Sequence, residues 1–94
     1  MANIEIQSQT EQDNGWAYEV NLDNNGSQHQ YSVTLSRSDY DKWSQGQLPP
    51  KNVVKAAFEF LLERESASSI MSKFDCSVIR RYFPDVDREL PKKF

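Results

Sequence analysis

Two side chains in this sequence have the chemistry of nucleophilic catalysis, and each type occurs once: Cys76 and His29. A thiol becomes a nucleophile when a base within hydrogen-bond reach takes its proton. The alternating residues around His29 put it in a strand, opposite Leu22 near the end of a hairpin. Cys76 stands beside the start of a late helix. Nothing in the sequence brings the two together. Cys76 therefore reads as a small packed apolar residue, and His29 as a cross-strand partner at a sheet end. Asp85, Asp87 and Glu89 follow the spacing that opens a calcium loop, but the glycine and the distal glutamate of that loop are missing. Pro84 and Pro91 bracket the segment, which reads as a solvated tail. One histidine and one cysteine do not make a zinc site within a chain. Gly15, Gly26 and Gly46 are scattered, where a phosphate cradle would gather them before a helix. No acid stands in an apolar run that would raise its proton affinity. The sequence thus assigns no catalytic residue, no metal ligand and no cofactor, and it reads as a non-enzyme.

The basic residues offer a different chemistry. Lys51 and Lys55 stand at the start of a helix, with Arg37 and Lys42 upstream. The run Gly46-Gln47-Leu48-Pro49-Pro50-Lys51-Asn52-Val53-Val54-Lys55-Ala56-Ala57-Phe58 resembles the final loop and helix of double-stranded-RNA-binding domains. That family sets lysines at a helix N-terminus against phosphates and buries an alanine-rich face. The resemblance implies phosphate contacts at Lys51 and Lys55, and a nucleic-acid binder would use nearby Arg37 or Lys42 beside them. The sequence departs from the family where an adjacent lysine pair is due, since Pro50-Lys51 stands there. It also departs where the first helix is due, because Met1 to Thr10 reads as strand. Duplex RNA is accordingly the alternative partner. Arg80-Arg81 and Lys92-Lys93 are further basic pairs, diluted by neighbouring acids.

These residues need elements to position them. Ile4 and Ile6, then Trp16, Tyr18, Val20 and Leu22, then Tyr31, Val33 and Leu35 alternate with polar neighbours, the period of a strand with one buried face. Asn14-Gly15 and Asn25-Gly26 separate the runs as hairpin signals. A two-residue turn at Asn25-Gly26 pairs Val20 with Tyr31, Tyr18 with Val33 and Trp16 with Leu35, which gathers every apolar side chain on one face. The first hairpin needs a three-residue loop, Asp13 to Gly15, with Ile6 opposite Leu22 and a bulge at Gly15. Ser38 to Asp41 has the form of a capping box for a helix running to Gly46. Pro49-Pro50 opens the main helix, Lys51 to Arg64. Val54, Ala57, Phe58, Leu61 and Leu62 form its apolar stripe, with Val53 at the edge. Ile70, Met71 and Phe74 suggest a short helix. Asp75 or Ser77 can cap another, with Val78, Ile79, Tyr82 and Phe83 turned inward, until Pro84 stops it.

The order of this meander, the Pro-Pro helix start and the Ile70 to Pro84 segment is similar to small bacterial hypothetical proteins without an assigned activity. That resemblance implies a stand-alone domain and no mechanism.

At 94 residues the chain has room for one modest core. The expectation is an α+β fold, a three-stranded antiparallel meander packed against one main helix plus shorter helices, in the order β-β-β-α-α-α-α. Residues 1–84 form the single domain. Residues 85–94 form a charged tail that frays unless Val86, Leu90 or Phe94 docks. A net charge of -3 gives no global attraction to phosphate or anionic lipid. No run approaches the ~20 apolar residues that cross a bilayer. A single cysteine fits a reducing compartment, hence a cytoplasmic location. The functional expectation is a small interaction or regulatory domain that binds an unknown protein partner or itself, with no membrane contact.

Overall fold

Alternation at period two makes one face of a strand apolar, and three such strands can share one core. The computed structural model describes residues 2–24 and 26–93 and has this arrangement. Strands β1 (Ala2–Gln12), β2 (Gly15–Asn24) and β3 (Ser27–Ser36) form an antiparallel meander. Trp16 faces Leu35, Tyr18 faces Val33, Val20 faces Tyr31 and Leu22 faces His29 across β2 and β3. All the apolar members of these pairs are buried. Asn25 of the second turn lies outside the described residues, as does Phe94. Gly26 takes φ 88°, a left-handed conformation that glycine adopts without penalty.

The first hairpin reaches the expected faces by another route. Its turn is two residues long, since Gln12 pairs with Gly15. The extra residue is in the strand, where the register shifts between Ile6 and Ser8, so that Gln7 is the bulged position and not Gly15. Ile6 consequently faces Val20, and Ile4 faces Leu22. A shift of register by two preserves the face, which is why the alternation alone could not choose between them. Gly15 is required for space. A Cβ there would lie 2.0 Å from the Leu35 carbonyl oxygen and 2.8 Å from the Ser36 Cα.

The helical half follows. Helix α1 (Arg37–Ser44) is capped by Ser36, whose hydroxyl accepts from the Asp39 backbone N–H at 3.1 Å. The cap therefore lies two residues before the one expected at Ser38. Gln45 (φ 53°) and Gly46 (φ 75°) end α1 in left-handed geometry. Helix α2 (Pro50–Leu62) begins on its proline. Its buried surface is wider than one stripe, because Val53, Ala56 and Phe60 are buried along with Val54, Ala57, Phe58 and Leu61.

The chain then returns to the sheet. Phe74 belongs to a fourth strand, β4 (Lys73–Asp75), and not to a helix. It pairs parallel with β3, Val33 beside Phe74, giving the order β1-β2-β3-β4. Ser32 N–H donates to the Ser72 carbonyl at 2.8 Å and Thr34 Oγ1 donates to Asp75 Oδ1 at 2.5 Å, fixing both ends of this short pairing. Asp75 then caps the 3-10 turn Cys76–Val78, accepting from Ser77 N–H at 3.0 Å. Helices α3 (Ile79–Tyr82) and α4 (Val86–Glu89) follow, and a final 3-10 turn covers Leu90–Lys93.

Residues 85–94 are no loose tail as far as they are described. Val86 and Leu90 are fully buried, so the packed core passes the expected boundary at residue 84. Tyr82 departs from expectation the other way: it is 65% exposed. Val78 and Phe83 are only partly buried, and Ile79 alone turns fully inward from that group. Among the described residues no helix is long and apolar enough to cross a membrane.

The close approach at Gly15 gives a direct test. Gly15→Ala must push strand β3 aside, and we expect it to cost ~1–3 kcal/mol, as overpacking does. A shift below ~0.5 kcal/mol in denaturant melts would show that the β2–β3 contact relaxes freely at this end.

Candidate functional site

Each residue that could do chemistry now has a place. Cys76 is completely buried at the end of β4, and burial pushes its thiol pKa well up, with Asp75 and Asp39 adding to the effect. A thiol held in that state is a packing group. His29 lies at the start of β3, stacked on Tyr31 with ring centroids 6.4 Å apart. Asp75, beside Cys76, pairs with Thr34, five residues along β3 from His29. At 3.4 Å per residue that separation is roughly 17 Å, beyond any direct proton transfer. The Tyr18 hydroxyl is buried without a hydrogen-bond partner among the described residues. Burial, followed by Cys76 and Tyr40, pushes it up to about 12, so it stays protonated at neutral pH.

The acids of the last segment are structural. Arg80 Nε donates to Asp87 Oδ2 at 2.7 Å, and its Nη2 donates to Asp87 Oδ1 at 2.8 Å and to Asp39 Oδ1 at 3.0 Å. The Trp43 indole N–H donates to Asp87 Oδ1 at 2.7 Å. This network joins α1, α3 and α4. It replaces the expected solvated tail, because a bidentate arginine holds a carboxylate in one orientation. The Arg80 bond, and after it the Trp43 bond, hold the Asp87 carboxyl at about 2 against an opposing effect of burial. The Arg80 guanidinium is correspondingly raised, chiefly by Asp87. Among the described residues no three His, Cys, Asp or Glu side chains gather as a metal site would require.

The basic residues differ in their surroundings. Lys51 and Lys55 lie exposed one turn apart on α2, followed on the same stripe by the exposed Glu59. Lys42 is exposed on α1. Arg37 is engaged elsewhere: its Nη2 donates to Glu11 at 2.7 Å and its guanidinium lies 4.7 Å from the Trp16 ring centroid.

The two exposed large hydrophobic residues among those described line one groove. The end of α2, the connection after it, β4 and α3 enclose a groove of about 210 Å³ lined by Leu61, Ile70, Met71, Phe74, Ile79 and Tyr82 among others. Met71 and Tyr82 are 44% and 65% exposed, and they are the large hydrophobic residues left exposed among those described. The groove has solid walls. Phe58 and Phe74 rings pack at 5.9 Å, and the Tyr31 hydroxyl donates to the Ala67 carbonyl at 2.7 Å, fixing the connection. Glu65 is the one charged side chain in the lining. Sequence reasoning missed this site. It turned Tyr82 inward because Tyr82 follows Ile79 at helical spacing, but α3 lasts a single turn and ends at Tyr82. The available signal was Met71, followed at once by the polar Ser72 and Lys73.

Comparison with protein-family models, with curated proteins and with solved structures finds no match for this chain.

The Arg80 network predicts a pH dependence. Asp87 has a folded pKa near 2, below the ~3.9 of an unfolded aspartate. Its contribution is therefore complete above about pH 4 and is lost as pH falls toward about 2. Thermal melts should show stability dropping across that window, and Asp87→Asn should flatten the drop while lowering stability at pH 7. An unchanged acid limb in Asp87→Asn would remove Asp87 from the account.

Proposed function

We propose that this chain is a non-catalytic, cytoplasmic interaction domain whose docking surface is the groove between α2, β4 and α3. The observation that carries the reading is that Met71 and Tyr82, both exposed, line the same groove. Exposed apolar surface gathered in one place, instead of scattered singly, is the mark of a contact surface. Tyrosine and methionine are also the residue types that contact surfaces favour. Tyrosine brings a large rigid area with a polar tip, and methionine adapts to the shape it meets.

The lining also describes the partner. An apolar wall with one carboxylate, Glu65, suits a protein segment that inserts an apolar side chain with a lysine or arginine beside it. A groove of this size takes one or two side chains, so the contact is small and exchangeable.

A photo-crosslinking amino acid at Tyr82 tests this in cell extract. We expect a discrete covalent adduct from that position and none from Glu19, on the opposite face of the sheet. Met71→Glu, at an exposed site that should leave the fold intact, should reduce the adduct about tenfold, the equivalent of ~1.4 kcal/mol of affinity. Equal adducts from Tyr82 and Glu19, or no effect of Met71→Glu, would overturn the reading.

A further inference from the structure

The two edges of the sheet are treated differently. At one edge β4 is three residues long, carries Lys73 and is followed at once by a capped turn. Short length and a lysine are ways in which proteins stop an edge from pairing. At the other edge β1 runs for eleven residues, pairs on one side with β2, and has no partner strand on its other side among the described residues. Residues 2–12 contain no proline, lysine or arginine. One irregularity interrupts this edge, the bulge at Gln7. Before it lies a regular segment that faces β2 in unbroken register from Ala2 to Ile6.

That segment also carries unfinished apolar surface. Ile4 and Ile6 face Leu22 and Val20, both fully buried, yet are themselves only partly covered. The apolar row on the inner face therefore runs out to the edge and ends there only partly buried.

We propose that two copies of this chain pair through the free edge of β1, antiparallel about a two-fold axis at Ile4, joining their sheets into one of eight strands. Such a contact is isologous, each copy offering the same strand, and so closes as a dimer. The bulge and the charges choose the register. With the axis at Ile4, the segment before the bulge is used in full, Ile4 meets the partner's Ile4, and Ile6 lies diagonally within reach. Glu5 then faces the partner's Asn3. With the axis one residue further along, Glu5 would face the partner's Glu5, and like charges directly opposite are destabilising. The side chains at this contact are Asn3, Ile4, Glu5 and Ile6, so the apolar inner pair and the polar outer pairs both match. A contact of this size is small, and association should be concentration-dependent.

Sedimentation equilibrium from micromolar to millimolar concentration tests the proposal. The full chain should pass from monomer to dimer in that range, and Ile4→Lys should weaken association at least about tenfold, as a lysine on an edge does. Circular dichroism melts check that Ile4→Lys remains folded. A second variant does not depend on that outcome. Residues directly opposite in an antiparallel pair have Cα atoms ~4.5–5.5 Å apart, within disulfide range. Under mild oxidation Ile4→Cys should therefore give a disulfide-linked dimer, and Gln9→Cys, beyond the bulge, should not. A chain monomeric at millimolar concentration, or cross-linking at Gln9→Cys in place of Ile4→Cys, overturns the proposal. Dimerisation abolished by Tyr82→Glu and untouched by Ile4→Lys also overturns it, because the groove would then be the self-contact. Loss of the β1 dimer leaves the groove reading standing, since the two use separate surfaces.

Discussion

A helix that is apolar around most of its circumference has to be covered on more than one side, and α2 imposes that requirement on the whole molecule. Its exposed residues, Lys51, Asn52, Lys55 and Glu59, form one narrow stripe, and nearly everything else on it is buried. The sheet takes one side, with Tyr31 and Phe58 rings 5.0 Å apart. The sheet cannot also reach Phe60. That side is closed by the end of the chain: the Phe83 ring packs edge-on at 6.1 Å, the Arg64 guanidinium lies 3.8 Å from the Phe60 ring centroid, and the turn at Leu90–Lys93 packs on α2. Removing the last ten residues would thus expose the second side of the central helix.

Apolar cover alone does not say which way a chain end should lie, and the polar contacts supply that. Arg80 gathers Asp39 and Asp87, and Trp43 completes the set. Asp39 is almost fully buried and belongs to α1, so breaking Arg80 away would strand a buried acid. The energetic worth of such a network is modest while it is intact and large when one member is lost, which makes it a device for specifying one arrangement. Arg64 to Asp85 at 2.8 Å and Lys93 to Glu63 at 2.6 Å tie the same segment to the end of α2 at the surface, where ion pairs contribute little.

What the sequence makes legible follows from this division. The β2–β3 register is readable to the residue, because Trp16, Tyr18, Val20 and Leu22 have a single turn geometry that matches them to Leu35, Val33, Tyr31 and His29. The β1 register is readable only in parity, because a bulge at Gln7 and one at Gly15 place Ile4 and Ile6 on the same face. β4 is hidden for a different reason. Three residues are too few to show a period, and a parallel partner is set by tertiary contact and not by a turn. The docking of Val86 and Leu90 was written in Phe60, Ala56 and Val53, apolar positions outside the stripe that the sheet can cover. The groove was the least visible, since whether Tyr82 points in or out is decided by where a one-turn helix stops.

The two surfaces singled out lie at opposite ends of the strand order, β1 at one edge and the Phe74 wall of the groove on β4 at the other. That separation has a consequence for binding. Pairing through β1 leaves both grooves uncovered and places them at the far ends of a continuous sheet, so a dimer would be bivalent. A groove that takes one or two side chains binds weakly by itself. Two grooves held at a fixed spacing turn the second contact into an intramolecular one, at an effective concentration set by the partner's own geometry. A partner with two suitable segments at that spacing would then be retained, and one with a single segment released. Selection by spacing would give a domain with one small groove a discrimination that the groove itself cannot supply.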